Sequence, residues 1–288
     1  MKLVRSAALA VMMGAAPSAL AQPVFPVSVE VMDIGVGLPD GQTMDVAGFY
    51  PGQPADEAFA TAQEFYAAQG ANPPYVVEAS LEFADTPFIL GIGPSGMMRT
   101  ETYDDVYAVF STNGSGNQLV TLFRDVRYGS EYPNADATLQ AIIDKYGPPG
   151  SDSGEFRENS ARVIEYGFLD GAAKTGDGVI CPSLNALRTF QPRNGHDLNT
   201  LRQLTFRAAE NNLNVYNPQD RCDVYLRIEI GPGYENGRNN PDIVGSMKMF
   251  VIDAARFESA NARDNAAQRE LQELAAGQRS QGAGAPKL

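Results

Sequence analysis

The chain has 288 residues, of which 43% are hydrophobic, and a formal net charge of −13. That length holds one large domain or two small ones, and such acidity works against nucleic acid and anionic lipid as partners. With 28 glycines, 19 prolines and no tryptophan, the composition predicts many turns and long loops between short elements.

The N-terminus carries Lys2 and Arg5, then an apolar stretch from Ala7 to Ala16, then Ala19-Leu20-Ala21 in the small-x-small pattern of a cleavage site. Together these read as a secretory signal over residues 1–21, cut after Ala21, which predicts a periplasmic protein. The apolar run is well short of the roughly 20 residues that cross a bilayer, and no cysteine stands at the cleavage site. The expectation is therefore no membrane span and no lipid anchor. Loss of Lys2 and Arg5 with the signal takes the net charge from −13 to −15.

Residues 22–53 read as an extended lead-in with turns at Pro39-Asp40-Gly41 and Pro51-Gly52. A helix follows from Pro54, with Asp56 and Glu57 complementing its positive end and Ala58, Phe59, Ala62, Phe65 and Tyr66 at helical spacing. Gly70 caps it and Pro73-Pro74 stops it. Strands are expected over Tyr75–Phe83, Pro87–Ile92, Asp104–Ser111 and Asn117–Tyr128, the last two joined as a hairpin at Thr112-Asn113-Gly114-Ser115-Gly116. On the second strand of that hairpin, Val120, Leu122, Val126 and Tyr128 are read as one face, interrupted by Arg124.

Asn134 is a good N-cap for a second helix, with an apolar stripe of Leu139, Ile142, Ile143 and Tyr146 that ends at Gly147-Pro148-Pro149. Strands are then expected at Arg162–Leu169, Cys222–Ile230 and Ile243–Val251, with Gly231–Pro241 as a long Gly/Asn-rich connection. In Cys222–Ile230, residues Cys222, Val224, Leu226, Ile228 and Ile230 point one way, and Asp223, Tyr225, Arg227 and Glu229 point to a wet face. Met247, Met249 and Val251 extend the apolar face, and the stripe of the second helix is the expected cover. Asp197–Leu213 reads as a helix within an insertion, about Asp253–Ala276 as a polar C-terminal helix that either covers a sheet edge or face or serves as a docking element, and Gly277–Leu288 as disordered.

The fold class is thus α+β, with short antiparallel sheets packed by two or three helices. The order helix–strands, helix–strands suggests a tandem duplication. The organisation is a signal at 1–21, a first α+β module at 22–150, a second β-rich module at 151–252 with a tethered insertion, and a C-terminal helix and tail at 253–288.

Cys181 and Cys222 are the two cysteines. In an oxidising compartment they are expected to form a structural disulfide, worth roughly 4 kcal/mol for a loop of about 40 residues. A redox or metal role would need Cys-x-x-Cys spacing or further His and Cys companions.

Other candidate chemistry reads as structural. Gly91-Ile92-Gly93-Pro94-Ser95-Gly96 matches Gly-x-Gly-x-x-Gly, but a pyrophosphate site needs a helix start directly after it, and Met97–Asp105 has no helical period. The one histidine, His196, sits in the loop sequence Pro192-Arg193-Asn194-Gly195-His196. Asp197 beside it is badly placed to orient a catalytic ring. Asp104 and Asp105 are adjacent, so on a strand they face opposite sides. No catalytic, metal or cofactor residue is assigned.

Tyr146-Gly147-Pro148-Pro149, preceded by the helix from Asn134 and echoed at Pro73-Pro74, resembles the small α/β modules of the SmpA/OmlA outer-membrane assembly lipoproteins and of the β-lactamase-inhibitor proteins, over about residues 33–170. The chain also resembles exported proteins of Gram-negative bacteria more broadly. The resemblance implies a non-catalytic binding or assembly role and designates no functional residues. The function expected is that of an exported binding protein whose partner is another envelope protein. The alternative is a hydrolase acting on an envelope polymer or glycan through paired carboxylates. A cleft with converging acids would favour the second, a shallow sheet face the first.

Overall fold

A computed structural model describes residues 22–28, 38, 43–95, 102–190, 192 and 197–282. The signal segment, Gly96, His196 and the tail beyond residue 282 lie outside the described residues. The protein is α+β, built on one antiparallel sheet of nine strands among the described residues.

Helix α1 (Ala55–Ala68) leads into β1 (Tyr75–Ala79), β2 (Phe88–Gly93), β3 (Tyr103–Phe110) and β4 (Leu119–Arg127). Helix α2 (Ala135–Tyr146) leads into β5 (Ser151–Asp152), β6 (Arg162–Leu169) and the short β7 (Ala172–Ala173). An insertion then carries a 3-10 helix (Pro182–Thr189) and α3 (Leu198–Leu213), before β8 (Val224–Glu235), β9 (Arg238–Asp253) and α4 (Ala254–Gly282). The strand order is β1-β2-β3-β4-β9-β8-β6-β5, with β7 beside β6. A helix followed by a four-stranded antiparallel set therefore occurs twice, and the two sets join where β4 pairs β9.

Local chemistry explains the helices. The Asn134 side chain accepts from the Ala137 N–H at 2.9 Å, which satisfies one orphan donor of the first turn of α2. Gly147, at φ +82°, closes that helix and donates to the Ile143 carbonyl. Both helices lie on the same face of the sheet. Ala58, Ala62 and Tyr66 of α1 and Ile142 and Tyr146 of α2 are buried with Leu122, Ile164, Leu226, Ile228 and Val251, so the expected cover of the Leu226 face by the second helix holds.

The other face is not wet. Tyr225 is 1% exposed and belongs to a second core with Tyr107, Phe123 and Phe250 of the sheet and Leu184, Leu187, Phe190 and Leu201 of the insertion. The Phe190 ring stands edge-on to Phe123 at 4.9 Å and to Tyr107 at 5.8 Å. The insertion thus packs an aromatic layer onto positions that pure alternation assigns to solvent.

Three further readings change. Cys222 is buried, but in the second core and not beside Val224, because it precedes the regular strand. Leu119 and Leu122 join the helix-side core while Val120 joins the insertion-side core. A register shift at Val109/Phe110 makes Val109 pair with Thr121 and Phe110 with Leu119, and the bulge displaces Val120 to the opposite face from Leu122. The Gly231–Pro241 segment is mostly strand. The chain turns at Asn236-Gly237, both at positive φ, as a two-residue hairpin requires. Gly245 is needed there, since a Cβ on it would lie 2.4 Å from the Pro232 carbonyl oxygen.

Helix α4 is longer than expected and runs through Gly282, so Gly277–Gly282 is helical. Asp253 accepts from the Arg256 N–H at 2.8 Å and caps its start. Farther along, Asp264 accepts from the Thr112 N–H and hydroxyl at 3.1 and 2.6 Å, and Arg279 lies 5.4 Å over the Phe83 ring.

Two outcomes are expected in unfolding experiments. Leu226→Ala and Tyr225→Ala each cost about 3–5 kcal/mol, because both faces are buried, and Ile142→Ala costs about 2 kcal/mol; urea midpoints measure this, and a neutral Tyr225→Ala would contradict the second core. Burial raises the phenol of Tyr166 to about 12 and raises those of Tyr66, Tyr146 and Tyr225 as well. The unfolded chain loses these protons first, so stability is retained below about pH 10 and falls as pH rises through about 12. A tyrosinate absorbance titration that tracks unfolding is the check.

Candidate functional site

The insertion covers only part of the second face. Paired residues on neighbouring strands share a face, so the register gives the sheet in rows. One row is Tyr107, Phe123, Phe250, Arg227 and Glu165, on β3, β4, β9, β8 and β6. The next row toward the β8–β9 turn is Asp105, Asp125, Lys248 and Glu229, and the row after that is Tyr103, Arg127, Ser246 and Gly231.

The first of these rows is sealed. Phe190 covers its aromatic end. At its charged end the buried Glu165 carboxylate accepts from Arg188 at 2.5 Å, from Arg227 at 2.7 Å and from the Tyr225 hydroxyl at 2.7 Å, and its second oxygen accepts from the Ile180 N–H at 3.2 Å. Arg188 and Ile180 belong to the insertion, so this carboxylate fastens the insertion to the sheet. Two bonds from guanidinium groups within a nearly dry site are strong individually, and stranding either partner would be costly.

Beyond Phe190, Pro192 is the one described residue of the insertion that lines this part of the face. A groove of about 720 Å³ opens there, a volume in the range of ligand sites. Asp125, Arg127, Ser246 and Lys248 form its floor, and Tyr103, Tyr128, Tyr132, Tyr234, Pro192 and Pro232 are among the residues of its walls. The projecting β8–β9 hairpin supplies Tyr234, which is 61% exposed. Gly233 lets that hairpin pass close to the Tyr132 ring, since a Cβ on it would come within 3.3 Å. The Tyr103 hydroxyl donates to Asp125 at 3.4 Å. Burial raises the Tyr128 phenol, opposed by the nearby Arg124, so it remains a neutral donor. Glu229, next to Lys248 in register, is held by Arg227 at 2.7 Å. Among the described residues neither Arg127 nor Lys248 forms an ion pair.

The residues singled out from sequence fall elsewhere. Cys181 and Cys222 are bonded, with Cα atoms 5.9 Å apart and a sequence separation of 41. The bond packs on Gly167 of β6, where a Cβ would lie 2.6 Å from the Cys181 sulfur. Gly91 and Gly93 seat the Leu198 side chain of α3, which would be 3.3–3.4 Å from an added Cβ at either position. Their role is close packing of a helix on a strand. Asp104 and Asp105 do face opposite sides. Asp104 is gripped by Arg124 on the helix side at 2.6 and 2.8 Å, while Asp105 stands across from Asp125.

Asp125 is the one carboxylate among the described residues lining the groove. No group of three or more His, Cys, Asp or Glu among the described residues is placed to hold a metal ion, and no helix among them is long and apolar enough to cross a membrane. The groove residues escaped the sequence reading because they come from four strands and two loops. The one local signal for them was Asn236-Gly237, which would have placed Tyr234 on a strand.

Glu165→Gln is expected to cost about 3 kcal/mol by removing the counter-charge of Arg188 and one of the two carboxylates that hold Arg227, whereas Arg127→Gln and Lys248→Gln each change stability by less than about 0.5 kcal/mol. Urea unfolding of the three variants measures both, and a costly Lys248→Gln would mean that the lysine is structural. Comparison with known protein families, with curated proteins and with solved structures finds no match, so the site is interpreted from its own geometry.

Proposed function

We propose that this chain is an exported periplasmic protein that binds another envelope protein through the groove and carries out no chemistry on it. The observation that carries this reading is the pair of cations, Arg127 and Lys248, without ion-pair partners among the described residues, on a floor walled by tyrosines. Tyrosine and arginine are the residues that concentrate binding energy at protein interfaces. A binding role is also what the resemblance of Tyr146-Gly147-Pro148-Pro149 and its helix to the assembly-lipoprotein and β-lactamase-inhibitor modules implies, the latter binding enzymes through a sheet face.

The rival reading, hydrolysis of an envelope polymer or glycan by two carboxylates, has one observation in its favour. Asp105 and Asp125 are direct cross-strand partners, which sets their Cβ atoms about 4.5–5.5 Å apart. Only Asp125 of the two lines the groove, however, and two cations share the floor with it. The binding reading accounts for more of the site.

Mass spectrometry of the exported protein is expected to give a mature N-terminus at Gln22; recovery of intact Met1 would remove the periplasmic reading. Affinity capture from the native envelope is expected to retain a partner with the unaltered protein and lose it with Tyr234→Ala, a change at an exposed position. Retention by both, or turnover of an envelope glycan abolished by Asp125→Asn, would sink the binding reading.

A further inference from the structure

We infer that the groove binds an extended segment of its protein partner carrying two carboxylates separated by one residue. This rests on the proposed binding role and specifies its ligand. Arg127 lies across from Ser246, and Lys248 is two residues along the same strand. The two cations are therefore diagonal neighbours on one face, about 7–8 Å apart at the backbone. In an extended peptide, side chains at positions i and i+2 project to the same side about 6.7 Å apart. Acid-x-acid in extended form matches that spacing, whereas acids at adjacent positions project to opposite sides. A helix would bring acids three or four positions apart to one face, but with a bulk of about 10 Å across in place of a single strand.

Charge complementarity selects an acidic ligand. The two cations outnumber the single carboxylate among the described lining residues, in a chain whose net charge is −13. Asp125 is occupied in part by the Tyr103 hydroxyl, and the neighbouring Glu229 by Arg227, so neither ties up Lys248 as an ion pair. A partner carboxylate gains most where the cation it meets has no other partner. The tyrosines of the walls offer flat surfaces and hydroxyls to the residues between and beside the two acids, at small cost in side-chain entropy.

The test uses the full mature protein and blocked nine-residue peptides in a Ser/Thr background. One carries Glu-Thr-Glu at its centre, one Gln-Thr-Gln, and one two adjacent glutamates. Titrations followed by amide NMR shifts at low salt are expected to give a Kd at least about tenfold lower for Glu-Thr-Glu than for either control, with shifts at Arg127, Ser246 and Lys248. Arg127→Gln and Lys248→Gln should each weaken that binding about tenfold. Arg127 is exposed, so its variant remains a valid test if Lys248→Gln disturbs folding. Equal binding of the glutamate and glutamine peptides, or tighter binding of an acidic glycan such as oligogalacturonate, overturns the inference. If the peptides fail while Tyr234→Ala still abolishes partner capture, the acidic ligand falls and the groove reading stands; if capture is also unaffected, both fall.

Discussion

The structure turns on the buried carboxylate of Glu165. It gathers Arg227 and Tyr225 from the sheet and Arg188 and the Ile180 N–H from the insertion. A buried charge is tolerated only when its oxygens are satisfied, so the insertion must sit where Arg188 reaches it. Arg188 and Phe190 are two residues apart, and fixing the first places the second over Tyr107, Phe123 and Phe250. The disulfide holds the same segment from its ends, joining Cys181 beside the 3-10 helix to Cys222 before β8. The edge of this cover defines where the groove begins.

Much of the fold was legible because it follows local rules. Asn134, Gly147 and Pro148-Pro149 mark α2 by capping alone, and the Thr112–Gly116 turn marks a hairpin by positive-φ residues. The alternation in Val224–Ile230 located a strand and its helix-facing side correctly. The opposite side failed because alternation separates two faces without saying what covers each. Tyr225, with Tyr107, Phe123 and Phe250 at matching positions, was the available hint, since four aromatic residues on one supposedly wet face call for a cover. The bulge at Val120 was not legible. One extra residue reverses every later facing, and nothing in Leu119-Val120-Thr121 marks it.

The site was less legible than the fold for a topological reason. Tyr103, Asp125, Lys248 and Tyr234 are separated by up to 145 positions in sequence and meet only because β9 inserts between β4 and β8. A motif search finds residues that work together when they are close in sequence. It drew attention to Gly91 and Gly93, which make room for Leu198, and to His196, which lies outside the described residues. The disulfide was readable because a chain with two cysteines leaves one internal pairing.

The contrast between the two cation pairs on the same sheet face carries the functional argument a step further. Arg188 and Arg227 both serve the buried Glu165 carboxylate, in a row largely closed to water, where an unpaired charge would be expensive. Lys248 and Arg127, one and two rows outward, have no such partner among the described residues and line the groove, where hydration lowers that expense. Removing them would leave the fold nearly untouched, so stability gives no reason for their placement beside four tyrosines. The half of the face that folding requires is closed by internal charges, and the half that folding does not require presents cations and aromatic rings to whatever enters the groove.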